Sequence, residues 1–224
     1  MKLLDVVLPQ RCLVCRGPGE AVCRGCVERL PRLRAPLCER CGAPTAWPVP
    51  RCVECSGRRL AFASARAAVP YDEEVQRLVL GWKERGLRRL ASLAAELVAD
   101  TVEPPPVYVL VGVPPDGSRS LRRGHEPASA LAEALGRRWQ LPVSPLLGRP
   151  SGAHRQRGLS LAERRRNVAG TFVADGPVPG RVGLVDDVYT SGATVAAAAT
   201  ELRRRGAREV HVITFARTIR RGAR

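Results

Sequence analysis

At 224 residues and 45% hydrophobic content, the chain has room for one full-sized domain and a small accessory module, with apolar material for a sizeable core. No run of 18 or more apolar residues occurs, and MKLLDVVLPQRC is too short and too interrupted by Asp5 for a secretory leader, so the expectation is a cytoplasmic protein with no membrane insertion. The formal net charge is +16, but of 37 basic residues only Lys2 and Lys83 are lysine, a skew that GC-rich coding produces unaided; the excess favours anionic partners without establishing one.

The first elements are the cysteines. All eight fall within residues 12–55 as four Cys-x-x-Cys pairs, 12/15, 23/26, 38/41 and 52/55, separated by 7, 11 and 10 residues. Two thiolates three positions apart bite one tetrahedral ion. Cys12, Cys15, Cys23, Cys26, Cys38, Cys41, Cys52 and Cys55 therefore supply ligands for two four-thiolate Zn2+ sites. Sequential pairing keeps the loops short; a crossed arrangement also satisfies the spacing. With no His interleaved and no open position, both sites read as structural. A disulfide framework competes, but suits a chain without an export signal poorly. A redox pair of thioredoxin type would come singly, beside a βαβ unit. Glycines within two residues of the second cysteine in CLVCRG and CERCGAP suit tight knuckle turns. Residues 1–58 bury little core of their own, so metal should supply their folding free energy. Chelation would then unfold them while residues 59–224 stay cooperative.

After Gly57 no cysteine follows, and helix and strand patterns alternate. AFASARAAVP, 61–70, reads as a short strand. Asp72 is an N-cap for EEVQRLVLGWKER, which places Val75, Leu78, Val79 and Trp82 on one helical face before Gly86. A second helix spans about 87–99, and Pro104 to Pro106 form a stiff linker. VYVLVGV, 107–113, is a strand buried on both faces. A loop with a basic stretch follows, holding Arg119, Arg122 and Arg123. Residues 127–138 read as a helix and LPVSPLL as a short strand. A second basic segment, 149–170, contains Arg155, with Ser160 and Glu163 at the spacing of a capping box. RVGLVDDV is the next buried strand, 195–205 a helix closed by Gly206, and EVHVITFA the last strand. The fold class is α/β, with a mostly parallel sheet covered on both faces.

The richest stretch is VGLVDDVYTSGAT, 182–194. In open α/β sheets, ligands sit at the carboxyl ends of strands. There Asp186 and Asp187 are followed by Thr190, Ser191, Gly192, Ala193 and Thr194, which lead into a helix. A helix N-terminus with free N–H groups, a permissive glycine and hydroxyls is a phosphate cradle. Carboxylates beside it would repel the anion unless they hold vicinal hydroxyls or Mg2+. A ribose 5-phosphate carries both features. Two adjacent carboxylates should also repel each other in the empty site, so Asp187→Asn is expected to leave stability unchanged or raise it.

VGLVDDVYTSGAT resembles the signature of type I phosphoribosyltransferases, whose acidic pair contacts ribose hydroxyls and whose loop binds the 5-phosphate of phosphoribosyl pyrophosphate (PRPP). The resemblance implies those roles for Asp186 and Asp187 and for residues 190–194. Nearly the whole chain is similar to the ComF competence family: the four cysteine pairs, YDEEVQRLVLGWKERG, VGVPPDGSRSLRRG, RQRGLSLAERRRNVAGTF and the PRPP loop. It departs where the family commonly has Arg-Gly-Phe-Asn-Gln; here Arg123-Gly124-His125-Glu126-Pro127 stands. The implied architecture is a double zinc ribbon, 1–58, followed by a phosphoribosyltransferase-like domain, 59–224.

Two functions follow. One is Mg2+-dependent phosphoribosyl transfer from PRPP in nucleotide salvage or DNA uptake, with Arg119, Arg122, Arg123 and Arg155 as pyrophosphate contacts and no identifiable catalytic acid or base. The other is a non-enzymatic factor of natural transformation that handles single-stranded DNA with a helicase partner. Eleven basic and five acidic residues among the first 60 suit the second; aromatic content of 4% is low for stacking on single strands.

Overall fold

In the computed structural model, which describes residues 11–115, 126–150 and 171–220, the alternating patterns form a parallel sheet wrapped by helices. In chain order the elements are α1 (Arg24–Arg29), β1 (Ser64–Pro70), α2 (Glu73–Arg85), α3 (Leu90–Thr101), β2 (Val109–Gly112), α4 (Pro127–Trp139), β3 (Leu147–Gly148), β4 (Val173–Ala174), β5 (Arg181–Tyr189), α5 (Ala193–Arg204) and β6 (Glu209–Arg217). The main sheet runs β1-β6-β5-β2 with every neighbouring pair parallel. β3 and β4 make a separate antiparallel ribbon. Both expectations, the α/β class and the parallel sheet, hold.

Local signals explain the boundaries. The Asp72 carboxylate accepts from the Val75 N–H at 2.9 Å, and Gly86 closes α2 in the left-handed region at φ 64°. β2 and β5 read as unbroken apolar runs because both faces are covered: Leu110, Val111, Val182 and Leu184 are fully buried. α3 starts at Leu90, later than the expected 87. α5 starts at Ala193, earlier than the expected 195, because Gly192 at φ 73° already turns the chain into the helix.

The sheet divides the core in two. On one face Val75, Leu78 and Trp82 of α2, Leu97 and Val98 of α3, and Leu131 and Leu135 of α4 form a single buried cluster. On the other, Val195, Ala198, Ala199 and Leu202 of α5 pack over Val111, Leu184 and Val212. The cysteine-rich segment enters both. Cys12, Val14, Val22, Cys26 and Leu30 join the first cluster; Cys38, Cys41, Cys52 and Cys55 join the second. Main-chain bonds stitch it down: Leu33 N–H to the Ala68 carbonyl at 2.8 Å and Ala65 N–H to the Arg40 carbonyl at 2.9 Å. A Cβ at Gly42, where φ is 68°, would lie 2.3 Å from the Ala65 carbonyl oxygen, so glycine is needed there twice over. This packing argues against chelation unfolding residues 1–58 alone, since both cores of the sheet contain side chains of the cysteine-rich segment.

Candidate functional site

The cysteines pair sequentially. Cys12, Cys15, Cys23 and Cys26 converge in one group and Cys38, Cys41, Cys52 and Cys55 in another, the sulfurs of each within 4.8 Å of one another. Neighbouring Sγ separations are 3.8 Å for Cys15–Cys23, 3.7 Å for Cys38–Cys55 and 3.5 Å for Cys41–Cys52. Zn–S bonds of about 2.3 Å in a tetrahedron require sulfurs about 3.8 Å apart, so both groups fit Zn2+. Backbone amides also point at the sulfurs, Cys23 N–H to Cys12 Sγ at 3.4 Å and Cys52 N–H to Cys38 Sγ at 3.3 Å. Burial and the neighbouring thiols push Cys26 up to about 12, the crowding that an ion relieves by displacing protons. One knuckle differs from expectation. In CLVCRG the left-handed position falls on Arg16 at φ 67° rather than on Gly17, while Gly42 takes it in CERCGAP.

At the carboxyl end of the sheet, α4 packs on one face of β5, and the chain leaves β5 into α5 on the other. β2 pairs with β5 only as far as Val185, and the chain after Val113 peels away. The crevice so opened has a volume of about 540 Å3, within the usual range for small-molecule sites. Asp186 and Asp187 form one wall; Thr190, Ala193 and Thr194 another; Tyr71, Lys83, Pro114, Glu126, Arg149 and Phe172 complete it.

The two carboxylates are not equivalent. Asp187 is 7% exposed, and its Oδ2 meets the Lys83 ammonium at 2.5 Å. Asp186 accepts the Asp187 N–H at 2.9 Å; burial first, and then the Asp187 charge, push its carboxyl up to about 8 against the pull of that N–H, Lys83 and Arg149. Lys83, from the last turn of α2, was missed by motif reading. Its signal was present, since it is one of two lysines in a chain whose other basic residues are all arginine.

This asymmetry corrects the expectation for Asp187→Asn. That change strands a half-buried ammonium and should lower stability, whereas relief of repulsion belongs to Asp186. Asp186 is neutral in the folded, empty site below about pH 8 but ionised in the unfolded chain above about pH 4. Folding therefore takes up a proton between those values, and stability falls as pH rises through that window. Asp186→Asn should raise the melting temperature at about pH 8.5 by clearly more than at about pH 5. An equal shift at both would remove the elevated carboxyl.

The loop divides its labour. Thr190, Ala193 and Thr194 face the cavity, while Ser191 and Gly192 shape the turn from behind. Among the described residues no side chain caps α5, and no acidic residue sits in its first turn, which leaves its amides to a ligand, apart from Ala193 N–H on Ser191 Oγ at 3.3 Å. Arg149 stacks over Phe172 at 4.3 Å and donates from Nε to the Pro114 carbonyl at 3.0 Å. Where the basic loop departs from the common family pattern, Glu126 lines the cavity and Pro127 opens α4. Arg119, Arg122, Arg123, Arg155, and the Ser160/Glu163 box lie outside the described residues. Among the described residues, no helix is long and apolar enough to cross a membrane.

Residues 3–56 match the double zinc ribbon domain family. Competence protein F of Haemophilus influenzae is 29% identical, over 92% of this chain and 96% of its own length. DNA utilization protein YhgH of Salmonella typhi is 30% identical over 96% of this chain and all of its own. The chain belongs to the competence protein F family. Among solved structures, this ComF chain overlaps glutamine PRPP amidotransferase from B. subtilis at 27% identity and a TM-score of 0.40. That overlap covers 56% of this chain and 25% of the amidotransferase.

Proposed function

We propose that the crevice binds PRPP, or a related ribose 5-phosphate, and that residues 59–224 work as a phosphoribosyltransferase-like domain on which residues 1–58 sit as a double zinc ribbon. The observation that supports this best is that two unlike groups line one cavity. The uncapped N-terminus of α5 offers N–H groups to a phosphate, and Asp186 and Asp187 offer acceptors to a diol. The 5-phosphate falls to residues 190–194 and the ribose hydroxyls to the acidic pair.

Mg2+ fits as the companion of the ligand's pyrophosphate. Magnesium keeps most of its waters and reaches proteins through one or two carboxylates plus substrate phosphates. Here Lys83 already occupies one oxygen of Asp187. Displacement of pyrophosphate at the anomeric carbon builds positive charge there, so the chain's contribution is positioning, anion binding and exclusion of water. The basic residues Arg119, Arg122, Arg123 and Arg155 are proposed for the pyrophosphate, and turnover on a nucleobase or other amine is the enzymatic form of this reading.

A second, compatible reading draws on the names of the relatives, which speak of competence and DNA utilization. In it the chain is a cytoplasmic factor that handles single-stranded DNA beside a helicase. The net charge of +16 supports it, as does Trp47, whose indole is 69% exposed in the same loop as the exposed Arg51.

Calorimetry with PRPP and Mg2+ tests the main reading. Asp187→Asn should weaken binding by about 1.5–3 kcal/mol, the range for a hydrogen bond to a charged group, or roughly tenfold to a hundredfold. Thr194→Val should weaken it similarly. Single-strand DNA binding should survive both changes and fall steeply between two salt concentrations. Wild-type protein without measurable PRPP affinity, or Asp187→Asn with unchanged affinity, would end the substrate reading.

A further inference from the structure

The anion loop stands on a ring. Tyr189, the last residue of β5, is 4% exposed, and a Cβ at position 192 would lie 2.3 Å from its hydroxyl, so Gly192 rests directly on the side chain. The ring is held from two sides. Phe62 meets it edge-on, with centroids 6.3 Å apart and planes at 83°, and the Arg217 guanidinium stands 5.1 Å from its centroid. Arg217, 1% exposed, donates to the Cys41 carbonyl and pairs with Glu54 Oε2 at 2.9 Å. The flank of the loop is gripped separately. Arg58 Nη2 donates to the Ser191 carbonyl at 2.6 Å, and the Arg58 N–H donates to the Cys55 carbonyl at 3.2 Å.

Both supports end on the second cysteine group. Cys41 and Cys55 belong to it, and Glu54 lies between Cys52 and Cys55. The first group faces elsewhere: Leu13 packs where a Cβ at Gly81 would come within 2.7 Å, and the Val14 carbonyl accepts Arg77 at 3.1 Å, so that group braces α2. Knuckle carbonyls keep a fixed direction only while the chain is closed on its ion. An anion loop binds well only if its N–H groups converge before the phosphate arrives, because ordering them afterwards is subtracted from affinity.

We infer that the metal held by Cys38, Cys41, Cys52 and Cys55 preorganises the anion loop, residues 190–194, through Arg58, Arg217 and Tyr189. These three are positioning residues of the pocket. The ligand half of this inference rests on the reading under Proposed function; the coupling of metal to loop rests on the contacts above and is tested without any ligand.

Two measurements serve, both on the full chain: hydrogen exchange at the amides of residues 190–194, and calorimetric affinity for ribose 5-phosphate. Arg58→Ala should keep both zinc ions and an unfolding midpoint near the wild type's, yet raise loop exchange and weaken ribose 5-phosphate by about tenfold each. Arg58→Lys, which keeps a cationic donor, should recover most of both. Cys55→Ser should empty the second group and raise loop exchange further, whereas Cys15→Ser, emptying the first, should raise loop exchange no more than the slowest core amides, which report its global destabilisation. If Cys55→Ser does not fold, the Arg58 pair and Glu54→Gln decide. Unchanged loop exchange in Arg58→Ala and Glu54→Gln overturns the inference, as does an equal rise, relative to the slowest core amides, in Cys15→Ser and Cys55→Ser. A wild type that ignores ribose 5-phosphate while loop exchange follows the expected pattern overturns the pocket reading and leaves the coupling in place.

Discussion

Removing zinc from the purified protein should unfold the whole chain in one transition, not residues 1–58 alone. Protein prepared under reducing, metal-replete conditions should carry about two Zn2+, one per four-cysteine group. Each structural zinc contributes apparent free energy on the order of 10 kcal/mol near neutral pH. The net stability of a domain is only about 5–15 kcal/mol. The cysteine groups are not insulated from the sheet. Cys12 and Cys26 share a buried cluster with Trp82, Val98 and Leu135, and Cys38 and Cys55 share the other with Phe62, Leu184 and Ala199. Losing both ions opens apolar surface on both faces at once. Circular dichroism during a chelator titration, read beside metal content, checks this. Two separated transitions, or a metal analysis of zero, would refute it. Cys38→Ser should cost one ion of the two and leave the first group loaded.

The second large effect belongs to Arg217. Its guanidinium is 1% exposed and pairs with a Glu54 side chain that is 9% exposed, so neither charge is shared much with water. Removing one partner of such a pair leaves the other buried and uncompensated. Arg217→Met should therefore destabilise by about 3–5 kcal/mol, seen as a lower denaturant midpoint. Adding Glu54→Gln should recover part of the loss, because the double change removes the stranded carboxylate. A loss under about 1 kcal/mol in the single variant would mean that the pair is open to solvent, as surface pairs are.

How much of this was legible beforehand differs from element to element. α2 was readable almost to the residue, because its N-cap, its buried stripe and its closing glycine are all local. The start of α5 was misplaced because the left-handed Gly192 that begins it depends on Tyr189 beneath. Asp186 and Asp187 were found by motif, but adjacency alone suggested two similar, repelling groups. Lys83 lies more than a hundred positions earlier in the chain, and only the packing of α2 on the sheet, with Trp82 edge-on to Phe215, brings its ammonium to Asp187.

Residue spacing alone was enough for two four-thiolate groups, a parallel α/β sheet, and an acidic pair followed by a glycine-containing loop that opens a helix. Each is written in short-range pattern: three-residue chelate steps, strand and helix periods, a strand-loop-helix junction. The division of charge between Asp186 and Asp187 was decided instead by the fold, as were the merging of the cysteine segment into both cores and the seating of residues 190–194 on Tyr189, Arg217 and Arg58. The physical reason is range. Burial and through-space charge depend on which distant segments meet, so Ser191 and Arg58, 133 positions apart, become neighbours only when the sheet is built.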